Sequence, residues 1–213
     1  MIIPGINSRD YEAAARAAKK ISEFSDWAHL DVEDGVFTPN LTWGDPLEFK
    51  ELRESETAIK MMNFEVHLMI QEPEKELQSW LGAGAKRVII HLEAMSNPHF
   101  ILETAKKTGK EVMLAISPPT AVEMLTPYLS SFSAFQILAV SPGASGQKFD
   151  EKVLEKIKFL REGAPDAIIE VDGGINPETA KLAREAGARV LVSTSYIMNS
   201  PDPASAFRAL AEG

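Results

Sequence analysis

AIIEVDGGINPETAKLAREAGARVLVS, residues 167–193, writes out one complete strand–helix–strand unit. AIIEVD and ARVLVS are short runs dominated by Val, Ile and Leu, of strand rather than helix length. Between them PETAKLAREAG has a helical pattern. Asn176-Pro177 supplies an N-cap and a first-turn proline, and Gly187 follows the pattern as a C-cap. Several such runs along the chain are nearly all apolar rather than alternating, which is the pattern of parallel strands covered on both faces.

The same grammar extends outward along the chain. Strand-like runs are IIPGI (2–6), AHLDV (28–32), FEVHLM (64–69), RVIIHL (87–92), EVMLAI (111–116) and FQILAV (135–140), besides the two already quoted. Helical patterns such as SRDYEAAARAAKKISEF, PHFILETAKKTG and EKVLEKIKFLREG fall between them, with Ser8 as an expected N-cap and Gly109 and Gly163 as expected C-caps. A βα unit counted eight times in 213 residues predicts an α/β fold of the (β/α)8 TIM-barrel type, one domain over 1–213. An open doubly wound sheet is the alternative. It normally carries a glycine-rich loop after its first strand, where this chain has Asn7-Ser8-Arg9. The longest stretch without an assigned element, Gly35 to Met62, includes the turn-rich DGVFTPNLTWGDP and is expected on the catalytic rim.

Composition narrows the class of function. The chain is 45% hydrophobic and 25% charged, ordinary for a globular protein. A net charge of −9 disfavours nucleic acid as a partner, while backbone amides can still bind a small phosphate locally. No cysteine is present, so thiolate chemistry and disulfides are excluded. No run is long enough for a membrane span or a signal peptide, and the expectation is a cytoplasmic protein.

Chemistry gathers at the ends of the strand runs. His29 and Asp31 stand at i and i+2, so both project from one face of a strand. His67 is near the end of the third run and Asp172 ends the seventh. A closed barrel brings such ends around one mouth. Two imidazoles and two carboxylates suit a divalent metal such as Zn, Fe(II), Mn or Co. His91, with Glu93 at i+2, repeats the spacing as a competing pair and is read as a rim residue. Three loops after the last strands carry the signs of a phosphate cup: Gly143, Ala144, Ser145 and Gly146 after the sixth run, Gly173 and Gly174 after the seventh, and Thr194 and Ser195 after the eighth.

HLDVEDGVFTPNLTWGDP, EVHLMIQEPE, VSPGASGQKF, EVDGGINPETAKLAREAGA and VSTSYIMNSPDP together resemble the ribulose-phosphate 3-epimerase family in order, spacing and content, over essentially the whole chain. The resemblance implies one divalent metal held by His29, Asp31, His67 and Asp172. It also implies interconversion of D-ribulose 5-phosphate and D-xylulose 5-phosphate, with Asp31 and Asp172 as the proton-transferring pair around a metal-stabilised enediolate. His67 and the three loops would then bind substrate, and the protein would form a homo-oligomer, a dimer or larger. The chain also departs from the family. Gly5 follows Pro4 where a serine is usual, and Glu33 and Leu138 replace methionines, although Met69 is kept. Val36 replaces a histidine, the phosphate loop reads GASG, and Thr194 stands where a glycine is usual. Glu33 is therefore expected to enter the metal pocket. The alternatives that these departures raise are another ketose or ketose phosphate, for example allulose 6-phosphate, and a barrel that keeps its metal without catalysis. Trp27, Trp43 and Trp80 are possible interface anchors, with core packing as the other reading.

Overall fold

Eight parallel strands pair in chain order and close into a barrel: β1 (Ile2–Ile6), β2 (Trp27–Glu33), β3 (Asn63–Met69), β4 (Arg87–His91), β5 (Glu111–Ile116), β6 (Ala134–Leu138), β7 (Ile168–Asp172) and β8 (Val190–Ser193). The structure is a computed structural model and describes residues 1–143 and 146–213. Outside the strands lie α1 (Tyr11–Ile21), α2 (Pro46–Ser55), α3 (Thr57–Met61), α4 (Pro73–Gly82) and α5 (Pro98–Thr108). A 3₁₀ helix (Val122–Tyr128), α6 (Val153–Gly163), α7 (Pro177–Ala186), α8 (Ser195–Met198) and α9 (Pro203–Glu212) complete the outer layer. The (β/α)8 expectation is met, and each expected strand is present within two residues of its expected ends.

The strands are buried on both faces, one row of side chains lying under the helices and the other inside the barrel. One row, including Leu30, Val66, Leu68, Val88 and Ile90, packs under the helices with Phe49, Leu77 and Trp80. The other row points into the barrel. There Ile89, Met113, Ala115 and Ala134 form one apolar cluster, and Ile3, Val190 and Val192 form another. Closure leaves no sheet edge to protect.

Strand register places the polar interior. His29 pairs with Glu65, Glu65 with Arg87, and Arg87 with Glu111, so four neighbouring strands set these side chains in one row. Arg87 answers the carboxylates around it: Nη1 donates to Glu65 at 2.7 Å and to Glu170 at 3.3 Å, and Nε donates to Glu111 at 2.5 Å. Gln136 Nε2 donates to Glu170 at 3.0 Å. Charges this deep persist only when paired.

Local signals are mostly where the sequence puts them. Asn176 caps α7 in a reciprocal capping box with Thr179, and Gly109 and Gly187 close α5 and α7 in the left-handed conformation. Two expectations are corrected. Asp10, not Ser8, caps α1, its carboxylate accepting from Ala13 N at 2.8 Å, because the helix begins only at Tyr11 and Asp10 is the extended residue directly before it. Gly163 is the last residue of α6 rather than its cap, a place that Ala164 takes. The Gly35–Met62 stretch holds α2 and α3, and its first half lies across the C-terminal end of β2. None of the tryptophans is an exposed anchor. Trp43 and Trp80 are buried, and the Trp27 ring lies 5.3 Å from the Arg87 guanidinium carbon.

Candidate active site

His29, Asp31 and Glu33 alternate along β2 and face inward together; Glu65, His67 and Met69 do the same on β3. The ligating atoms of His29, Asp31, His67 and Asp172 all lie within 4.8 Å of one another. Asp31 Oδ1 is 3.1 Å from His29 Nε2 and 3.5 Å from His67 Nδ1. Asp172 Oδ2 is 3.9 Å from the same His29 nitrogen and 3.7 Å from the same His67 nitrogen. The tertiary structure thus brings all four predicted ligands together.

Their outer contacts aim them. His29 Nδ1 donates to Glu65 Oε1 at 2.7 Å, which turns Nε2 toward the cluster. His67 Nε2 lies 2.8 Å from His91 Nε2, and His91 Nδ1 lies 3.2 Å from Glu93 Oε2 and 3.3 Å from Ser117 Oγ. That leaves His67 Nδ1 buried without a hydrogen-bond partner. An orphaned imidazole nitrogen beside two carboxylates and a second imidazole is what a site built for a divalent cation presents. The donor set therefore fits the metal that the sequence implied.

Electrostatics in the metal-free protein separates the two carboxylates. Burial pushes Asp31 up, but the hydrogen bond from His29, with the His67 ring 3.5 Å away, holds it well below the usual carboxylate range. Burial pushes Asp172 up to about 7, with the charges of Asp31 and Glu65 adding to the rise against the pull of His29. His67 is lowered to about 4 by burial and by its histidine neighbours, so its ring is neutral at neutral pH. His29 is the opposite case. Burial disfavours its charged form, yet the carboxylates of Asp31 and Glu65 raise it well above its ordinary value.

One cavity holds Asp31 and Asp172 together with Met69 and Leu138. Its other wall is the expected phosphate cup, with Gly143, Gly146, Gly173, Gly174, Thr194 and Ser195 all on it. Ala144 and Ser145 lie outside the described residues. No lysine or arginine is on the cavity wall among the described residues, so an anion there depends on backbone amides and uncharged polar side chains. Gly174 shows how tight this wall is: φ is +67°, and a Cβ would sit 2.6 Å from the Phe149 backbone nitrogen.

Glu33 faces inward as expected and is only 2% exposed, but it is not one of the four clustered ligands. Its Oε1 accepts from Asn7 Nδ2 at 3.1 Å and its Oε2 from Thr38 Oγ1 at 2.6 Å. The same Asn7 amide donates to Asp31 Oδ2 at 3.0 Å. His91, read from sequence as a rim residue, is fully buried against His67 and is roofed by Phe37 at a ring separation of 4.8 Å. The His91–Glu93 spacing was visible in the sequence. Glu65 carried no signal there beyond its strand position, and Asn7 none beyond following the first strand.

Comparison with known proteins follows the same lines. A sequence model described as the ribulose-phosphate 3 epimerase family matches residues 1–198. A ribulose-phosphate 3-epimerase of Chlamydia muridarum is 36% identical over 203 residues, covering 92% of this chain and 87% of the relative. One from Bacillus subtilis is 35% identical over 207 residues, covering 94% and 93%. Among solved structures, a 3-keto-L-gulonate-6-phosphate decarboxylase from Vibrio cholerae superposes with a TM-score of 0.75 at 13% identity, covering 100% of this chain and 95% of that one. At that identity the likeness is one of fold.

Proposed function

This chain belongs to the ribulose-phosphate 3-epimerase family and is an isomerase, and on that premise we propose that it inverts C3 of D-ribulose 5-phosphate to give D-xylulose 5-phosphate. One observation carries the reading: Asp31 and Asp172, the two carboxyls of the four-residue cluster, share the wall of a single cavity. Inversion next to a carbonyl needs one group to remove a proton and another to return one to the opposite side. Two carboxyls on one cavity wall meet that need. Asp31 and Asp172 are the two groups placed for this, one accepting the C3 proton and the other returning one; the reverse reaction exchanges their roles.

A divalent cation held by His29, Asp31, His67 and Asp172 would supply positive charge against the negative charge that develops beside C3. Imidazole and carboxylate donors without thiolate favour Zn, Fe(II), Mn or Co for that place. The phosphate of the substrate is held by backbone N–H groups of the loops carrying Gly143, Gly146, Gly173, Gly174 and Ser195, whose glycines allow close approach. Met69 and Leu138 keep an apolar wall beside the carboxylates and limit water at the reacting carbon.

The test is exchange of the C3 proton of D-ribulose 5-phosphate in D2O with metal-loaded protein, run beside a metal analysis. Exchange together with formation of the xylulose epimer is expected. No exchange with this ketose phosphate would overturn the reading. Asp31→Asn and Asp172→Asn should each slow turnover by about 10²–10⁴-fold.

A further inference from the structure

Gly5 is glycine for lack of space rather than for backbone freedom. It has no positive φ, yet a Cβ built on it would lie 1.9 Å from Thr194 Oγ1, 3.0 Å from Thr194 Cβ and 3.3 Å from Thr194 Cγ2. No side chain fits there while Thr194 stands as it does. The position faces into the barrel. Ile3, two residues earlier on β1, packs inside with Val190 and Val192, and Asn7, two residues later, reaches Asp31. Gly5 itself pairs with His29. Register continues across the seam, with Ile3 beside Val192 and Pro4 beside Ser193, so the residue following β8 comes level with Gly5.

Thr194 thus puts its side chain into the room that a β1 side chain would otherwise fill, on the wall of the cavity that holds Asp31 and Asp172. Its hydroxyl makes no hydrogen bond among the described residues. The neighbouring Ser193 hydroxyl is already taken, donating to Ile175 O at 2.9 Å. A half-buried hydroxyl without a protein partner, on the wall of a reaction cavity, is available to a ligand.

We propose that Thr194 Oγ1 hydrogen-bonds an oxygen of the bound ketose phosphate and helps select it, and that Gly5 and Thr194 form an exclusive pair in which one position must be small for the other to carry the hydroxyl. The proposal rests on the epimerase reading and sharpens it. It makes Thr194 a contact through its side chain rather than only part of a backbone phosphate loop. The hydroxyl sits on β8's end of the seam and reaches across to β1.

Four variants test it: Thr194→Val, Thr194→Ser, Gly5→Ser, and the double variant Gly5→Ser with Thr194→Gly. Thr194→Val keeps the shape and removes the hydroxyl; KM for D-ribulose 5-phosphate should rise about tenfold, with kcat changing less. Thr194→Ser should recover most of that loss. Gly5→Ser alone should lower Tm and raise KM, because the two side chains collide. The double variant, which returns the hydroxyl from the other strand, should restore much of both. An unchanged KM in Thr194→Val would overturn the contact. A Gly5→Ser protein as stable as the parent, or a double variant no better than that single one, would overturn the pairing. If the unmodified protein turns over no ketose phosphate, the epimerase reading and the contact fall together, and the Tm comparison still decides whether the pair is exclusive.

Discussion

Glu65 Oε1 lies 2.7 Å from His29 Nδ1, and both side chains are wholly buried. The pair settles which face of the imidazole is free: with Nδ1 bonded to the carboxylate, Nε2 is the nitrogen that meets Asp31. The hydrogen bond also makes the ring a better donor to a cation. Glu65 in turn is held by Arg87, so the orientation of His29 on β2 is fixed through β3 to β4.

Glu65→Gln should therefore weaken divalent-metal affinity by about 10–100-fold while the fold persists. Metal retained after dialysis against a chelator series, compared with the parent, measures the change. Equal retention would remove the carboxylate from the metal site.

Asn7 divides its amide hydrogens between Asp31 Oδ2 and Glu33 Oε1. The clustered oxygen of Asp31 is Oδ1, so Asn7 steadies the one pointing away from the imidazoles. Asn7→Ala should lower kcat by about tenfold at little cost in bound metal, since only the carboxylate's aim is lost. Glu33→Gln should act in the same direction and more weakly. A change in metal content equal to the change in kcat would contradict the division of roles.

Arg87 stands among Glu65, Glu111 and Glu170 in the barrel interior. Removing the cation strands buried carboxylates, so Arg87→Met should destabilise the fold by about 3–5 kcal/mol. Urea unfolding monitored by circular dichroism gives the figure. A loss below about 1 kcal/mol would mean that the carboxyls take up protons without cost.

Glu93 supplies a pH signature one residue removed from the proposed metal ligands, through His91. Burial pushes its carboxyl up, but hydrogen bonds from His91, Thr120 and the Ser117 backbone prevail and bring it down to about 2. A depressed carboxyl stabilises the fold fully above its unfolded value near 4.5, and that contribution disappears as pH falls toward 2. Glu93→Gln should thus lower stability at pH 6 by about 2 kcal/mol, allowing for solvent screening of a partly exposed group. Below about pH 2 the variant and the parent should converge, as thermal melts across that range would show.

Much of this could be read along the chain. The eight apolar runs, the Asn176 cap and the closing glycines Gly109 and Gly187 are local signals, set by neighbours within four residues. His29 and Asp31 shared a face because strand periodicity is two. Their meeting with His67 and Asp172 followed once eight strands implied closure. The cap of α1 was misplaced by two residues, since Ser8 and Asp10 are equally good cap residues and only the path of the backbone chooses between them.

The alternation of β2, β3 and β7 alone determined which side chains enter the barrel, and the order of βα units determined that their ends meet. What stands beside what was decided by register. His29 against Glu65, His67 against His91, Asn7 against Asp31 and Gly5 against Thr194 each join residues on different strands or the loops that end them. A one-residue slip would turn every side chain of a strand to the other face. Register is set by how eight strands tilt and close together. That is a property of the whole barrel and is written in no single segment.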